Sequence, residues 1–471
     1  MTSWIWGLDP RFTMAAPSCF ITTFERNLEN EIPADAEQYP PGVLGCGMEM
    51  SDLLLGCNFP KPLLLCGQRH CFFDRRGLEQ AYADLNQLYT LVGKPDGVDL
   101  FIGENDHGFH PDAQQAVAEF FCKHAGLSPP PFTEAGWTFE PLPADALEVC
   151  PGGQVIGYCK NATPVHETLG LAAQGLAATR PSLSPAQLCE ELRKLLTVPE
   201  ALPGDTSYRV LRTGMQVDLP GLPQHTIGRY AVHSETGIEV ILHKPIADGH
   251  TGSLDVGGSG DGSSSTHLHV PDLCAAEDLG SSEWSSAEGL ESHGPEWPEG
   301  PASLLTSGVD GAAGSGFTTD GRHPRWASYG MDYMYHGHAL LFGESYLGRR
   351  VFDLLRTLQL LAENGAAAQP ISLSGRGAGS LVALFAAMLA GPVAGISVAE
   401  LSLRNMPLSC EEWVSSAVCH WPAACCLNGL LNVCDLADVY DALRQEGIVV
   451  DLAEPWDATM MPASEALVSK L

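Results

Sequence analysis

Two short stretches of this sequence carry residue types able to do chemistry. The first is the loop Gly103-Glu104-Asn105-Asp106-His107-Gly108-Phe109, set between a strand-like run and a helix-like run. A histidine on a loop leaving the C-terminal end of a strand can serve as a general base, because its near-neutral pKa suits proton transfer at working pH. His107 is therefore a candidate catalytic residue. The loop Gln68–Asp74 follows an earlier strand-like run and offers Asp74 as a carboxylate able to orient that histidine. The second stretch is Ile371-Ser372-Leu373-Ser374-Gly375-Arg376-Gly377-Ala378-Gly379-Ser380. Strand, tight glycine turn and helix give the mechanical outline of a nucleophile elbow, G-x-S-x-G. Its middle position is Gly377, which has no side chain to attack a carbonyl. Ser374 and Ser380 fall off the apex, and neither is assigned as a nucleophile. A glycine-rich phosphate cradle is the competing reading. The run lacks the Lys-Ser/Thr of a Walker loop and completes no dinucleotide fingerprint, so no cofactor is expected.

Two further groups read as structural. His267 and His269 have metal-ligand spacing, but their surroundings are rich in Gly, Ser and acid, so they are expected to be solvated and no metal is assigned. The vicinal pair Cys425-Cys426 sits beside Leu427 and near Trp421, where a buried apolar role is expected.

The elements that would position these residues can be read from periodicity. Pro62–Gly67 and Val98–Gly103 read as buried strands. Leu78–Val92 and Asp112–His124 read as helices, the first with Leu78, Tyr82, Leu85 and Tyr89 at helical spacing. Such alternation over residues 1–127 argues for a parallel sheet. Residues 128–247 form a connecting α+β module. There Ser184, Pro185 and Gln187 spell a capped helix start, and a hairpin turns at Ser234-Glu235-Thr236-Gly237. Residues 248–322 are rich in Gly, Ser, Asp and Glu and are expected to be a disordered insert. Residues 323–471 return to α/β, with a helix over Arg350–Ala362, the glycine turn, a helix over Ser380–Leu389, and strands at Val393–Val398 and Ile448–Leu452.

Composition narrows the partners. The chain has 471 residues, 57 acidic against 25 basic, for a net charge of −32. A surface of that sign repels phosphate backbones and anionic bilayers, so neither nucleic acid nor membrane is an expected partner. No apolar run approaches the ~18 residues of a spanning helix. The first residues show no basic, then apolar, leader pattern, and the 15 cysteines are read as reduced thiols, so a cytoplasmic setting is expected.

Six runs in order resemble the acetylxylan-esterase-like branch of the α/β-hydrolases, related also to prolyl-oligopeptidase-type hydrolases. They are Gly7–Arg11, Ala15–Thr22, Asp35–Gln38, Pro60–Leu65, Phe72–Gly77 and His107–Phe109. A second set resembles the degenerate hydrolase-like half of tandem members: Gly343–Asp353, the glycine elbow, Trp421-Pro422, Asp435–Tyr440 and Pro455–Ala458. The resemblance implies an α/β-hydrolase-like fold, a mostly parallel sheet flanked by helices, in two partial regions. It implies a Ser-His-acid triad acting on a carboxylic ester of a small molecule or polysaccharide, with His107 as base. Relatives carry the acid at the place of Cys71, which is a departure, and Asp74 matches a second family aspartate. Thr2–Trp6 resembles the helix that follows the serine elbow, so the serine is expected before Met1. Two expectations follow: an ester hydrolase lacking its serine here, or an inactive hydrolase fold kept for binding or assembly. The first region would hold only what resembles the last three strands of the fold. Their exposed inner edge needs cover, for which Ile371–Leu373 is the candidate.

Overall fold

The computed structural model describes residues 1–30, 38, 40–129, 142–150, 152–204, 206–217, 225–246, 266–272, 297–299, 332–364 and 370–469. The chain divides into two units, Met1–Tyr158 with Gly337–Gly343, and Cys159–His336 with Glu344–Leu471. It is mixed α/β, with parallel sheets flanked by helices. No helix among the described residues is long and apolar enough to cross a membrane.

In the first unit, strands β1 (Leu63–His70) and β2 (Val98–Asp106) pair in parallel. The stretch before them joins β1 through parallel bridges at Ala15–Leu63 and Ser18–Cys66. Helices α1 (Thr2–Leu8), α2 (Arg75–Leu91) and α3 (Pro111–Ala125) complete this frame. Side chains alternate across a strand, so a strand covered on both faces must be apolar throughout. Leu63 and Leu65 pack with Leu78, Leu85 and Tyr89 of α2, whereas Leu64 and Cys66 meet Phe120 and Phe121 of α3. A Leu65→Ala change would leave a cavity in a fully covered strand, a loss of about 2–5 kcal/mol for such sites.

The second unit holds two sheets. The antiparallel one runs β3 (Ser207–Val217), β4 (His225–Glu235), β5 (Ile238–Ile246) and β7 (Trp297–Glu299), with the expected hairpin turn between β4 and β5. The parallel one has the order β10-β9-β8-β6, with β6 His267–Val270, β8 Ile371–Arg376, β9 Val398–Arg404 and β10 Val449–Ala453. Helices α4 (Val165–Thr179), α5 (Pro185–Leu195), α6 (Tyr346–Glu363), α7 (Ala378–Leu389) and α8 (Leu436–Gln445) belong to this unit. Every residue of α7 is buried, as its all-round apolar sequence requires. The Ser184 capping box is formed, with Gln187 reaching back to the Ser184 N–H.

Three expectations are corrected. Ile371–Leu373 pairs on both sides, with β6 and with β9, so its backbone groups are committed to its own sheet and supply no cover to another. The strand expected at Val393–Val398 begins only at Val398, because Gly391-Pro392 and the left-handed Gly395 carry a wide helical turn first. Most of 248–322 lies outside the described residues, but His267 and His269 belong to strand β6, where His269 is buried with Leu268 and Val270 and His267 is half-buried.

One buried acid makes this unit pH-sensitive. Asp353 on α6 is 3 % exposed and accepts a short hydrogen bond from the Ser234 hydroxyl. Burial lifts its carboxyl from 3.8 to about 7. A raised folded-state pKa stabilises below the unfolded value, and that contribution is lost as pH rises through the folded one. Wild type should lose stability relative to Asp353→Asn between about pH 4 and pH 7, by at most about 4 kcal/mol. Urea denaturation across that window measures it; a constant difference would contradict the burial of an ionisable acid there.

Candidate functional site

In the first unit, three residues meet where parallel strands end. Ser18 bridges to Cys66 of β1, and the next residue, Cys19, turns into a left-handed conformation (φ 51°) with its N–H donated to Cys66 O at 3.0 Å. Cys71 directly follows β1, and His107 directly follows β2. Parallel strands thus deliver all three to one sheet end, the place where open α/β sheets bind ligands. Cys71 Sγ lies 3.2 Å from His107 Nδ1. The Cys19 thiol points to Gly108 O at 3.5 Å, and the Ser18 hydroxyl points to Cys19 Sγ at 3.8 Å. Phe72 stacks on the His107 ring at 4.3 Å between centroids, which holds the imidazole plane.

The neighbouring Cys71 thiol is the main influence holding the Cys19 thiol below its ordinary pKa, and the same proximity leaves Cys71 raised. Asp74 caps helix α2: its Oδ1 accepts from the Arg76 N–H at 2.8 Å, and its carboxylate also pairs with the Arg76 guanidinium and Asn30. Those Arg76 hydrogen bonds lower its carboxyl to about 2. Among the described residues no hydrogen bond joins Asp74 to His107; the group on His107 Nδ1 is Cys71. A helix N-cap competes for the same short carboxylate, and the cap geometry holds it.

In the second unit, β8 runs into the turn at Gly377 and then α7. Gly377 has φ 52° and ψ −123°, a conformation disfavoured for side-chain-bearing residues. A Cβ there would lie 2.2 Å from Asp272 Oδ1. That carboxylate accepts from the Ala378 N–H at 2.7 Å. In a serine elbow the N–H of the residue after the apex is an oxyanion-hole donor. Here an aspartate fills both the space of the missing side chain and that donor. Gly379 allows the neighbouring strand in: a Cβ there would lie 2.2 Å from Pro271 O.

Ser374 and Ser380 sit below this apex. The Ser380 hydroxyl donates back to Gly377 O. Ser374 Oγ lies 2.7 Å from His267 Nε2 and 2.8 Å from His269 Nδ1. A hydroxyl donates one proton, so it serves one ring nitrogen as donor and the other as acceptor. Nucleophile–base distances are met, but Ser374 is 5 % and His269 1 % exposed, which shuts out an ester. Burial also lowers the His267 pKa, favouring the neutral ring.

Two of these residues escaped the sequence reading. Asp272 follows His267-Leu268-His269-Val270-Pro271, whose alternation is a strand signal inside a polar segment. Cys19 follows the stretch that bridges to β1, as Cys71 follows β1 itself, and only the fold unites the two.

No protein-family model and no curated protein matches the chain. Among solved structures it is similar to a Bacteroides fragilis protein assigned as an acetyl xylan esterase. The TM-score is 0.41 at 12% identity, over 61% of this chain and 75% of that one.

Gly377→Ala should destabilise the protein by at least about 2 kcal/mol, from backbone strain and the clash with Asp272. The double variant Gly377→Ala/Asp272→Ala should recover the clash component. Denaturant midpoints read both, and equal stability of Gly377→Ala and wild type would contradict this turn geometry.

Proposed function

We propose that this chain is a carboxylic-ester-hydrolase-type α/β fold, acetyl-esterase-like in descent, that does not run serine catalysis and serves in binding or assembly. The observation that carries the reading is the elbow apex, where Gly377 stands in the nucleophile's place and Asp272 occupies the Ala378 N–H. Acyl transfer by a triad needs a hydroxyl at the apex and open donors for the negative oxygen of the tetrahedral intermediate. The apex lacks the first. A carboxylate on the donor opposes the second, because it places negative charge where more would develop.

The first unit fits the same reading. His107 is the candidate base, and its Nδ1, which an acid occupies in a working triad, faces the weakly acidic Cys71 thiol. A histidine so placed gains no carboxylate to stabilise its imidazolium. In the alternative reading, an ester hydrolase of the same family, His107 acts as base and Asp74 as its acid, on a small-molecule or polysaccharide ester.

Fluorophosphonate labelling followed by intact-mass measurement separates the two, because the probe needs an activated serine. The expected result is no adduct and no turnover of p-nitrophenyl acetate above buffer. A stoichiometric adduct on a serine of this chain, lost in His107→Ala, would overturn the inactive reading in favour of the hydrolase. An adduct on Ser374 would overturn it as well.

A further inference from the structure

Two thiols and an imidazole gathered at one sheet end are a set of donors before they are anything else. The Sγ atoms of Cys19 and Cys71 and a ring nitrogen of His107 all lie within 4.8 Å of one another. A tetrahedral zinc ion with bonds of about 2.3 Å to sulfur and 2.0–2.1 Å to nitrogen holds its ligand atoms roughly 3.5–3.8 Å apart. The observed 3.2 Å between Cys71 Sγ and His107 Nδ1 needs only a few tenths of an ångström of opening. The cysteine χ1 angles supply such a movement without shifting the strands that carry the three Cα atoms.

We propose that Cys19, Cys71 and His107 form a binding site for a soft divalent cation, zinc above all, with a fourth position open to water. This inference does not depend on the hydrolase reading.

The donor set decides the class of metal. Thiolate and imidazole favour zinc over magnesium or calcium, which take oxygen ligands. Two thiolates neutralise the dication, so any thiol proton still held leaves on binding and the filled site carries no net charge. The surroundings suit it. The Ser18 hydroxyl points to Cys19 Sγ and can donate to it as a metal-bound thiolate, and Phe72 holds the His107 ring by stacking. Cys19 is buried, Cys71 half-buried and His107 exposed, so the cluster closes on the protein side and opens toward solvent. No fourth Cys, His, Asp or Glu joins the group among the described residues. Three protein ligands and one solvent position are the open arrangement of a reactive rather than a purely structural zinc site.

The competing chemistry for the same atoms is a Cys19–Cys71 disulfide, which would consume both sulfur donors.

The test uses the full chain, reduced and freed of metal, then titrated with Zn2+ against a chromophoric chelator and separately with Co2+. The expected result is one zinc per chain and a thiolate-to-cobalt charge-transfer band in the near ultraviolet. Cys19→Ser, Cys71→Ser and His107→Ala should each weaken zinc binding at least tenfold, while Cys46→Ser, at an exposed cysteine, binds as wild type. Should a ligand variant fail to fold, alkylation of wild type decides: zinc should protect Cys19 and Cys71 from iodoacetamide and leave Cys46 and Cys57 reactive. Absence of stoichiometric zinc overturns the proposal. So does zinc binding that survives all three ligand substitutions, or alkylation of Cys19 and Cys71 unaffected by the metal.

Discussion

The contact between the Asp272 carboxylate and the Ala378 N–H organises the second unit. It exists because the turn between β8 and α7 carries no Cβ at Gly377 or Gly379. With those two positions bare, Val270 and Pro271 approach the start of α7, β6 docks beside β8, and the sheet gains its fourth parallel strand. The β8–α7 turn keeps a backbone conformation that is disfavoured for residues with a side chain. In serine elbows such strain exposes a nucleophile. Here the same geometry receives a carboxylate, and the strand that delivers it covers the edge of β8.

The end of a parallel strand is also where the first unit concentrates its reactive groups. Cys19, Cys71 and His107 arrive from successive extended stretches, and β1, buried on both faces, fixes the spacing between them. Each unit therefore carries polar groups at the C-terminal ends of its strands. In the second unit the group there, Asp272 just past β6, is tied to the Ala378 N–H, and Ser374, further back along β8, is sealed between two histidines. In the first, His107 remains open to solvent. The contrast is one of burial, and burial decides whether a hydroxyl or a thiol meets an outside molecule.

Much of this architecture was legible from periodicity. Leu78, Leu85 and Tyr89 announce helix α2, and Ser184-Pro185-Ala186-Gln187 announces a capped start, because each depends on neighbours within one or two turns. The His107 loop was legible for the same reason, since strand and helix flank it closely. Strand β6 was not. Its four residues lie among glycines, serines and acids, and they are stabilised by partners on β8 about a hundred positions away, which local composition does not reveal. Helix α4 was missed because its Gly170, Ala173 and Gly175 give no sharp apolar stripe. Asp74 reads in sequence as an acid near His107, but the backbone of α2 offers its carboxylate a closer partner. Cys19 gave no sign, because a single cysteine gains meaning only when the fold brings a second donor to it.

Amide hydrogen exchange at Ala378 tests the arrangement most directly. If Asp272 fills the elbow, Ala378 in wild type is strongly protected, and Asp272→Ala raises its exchange rate selectively while amides of β9 keep their protection. An Ala378 amide that exchanges at the same rate in both proteins would contradict it.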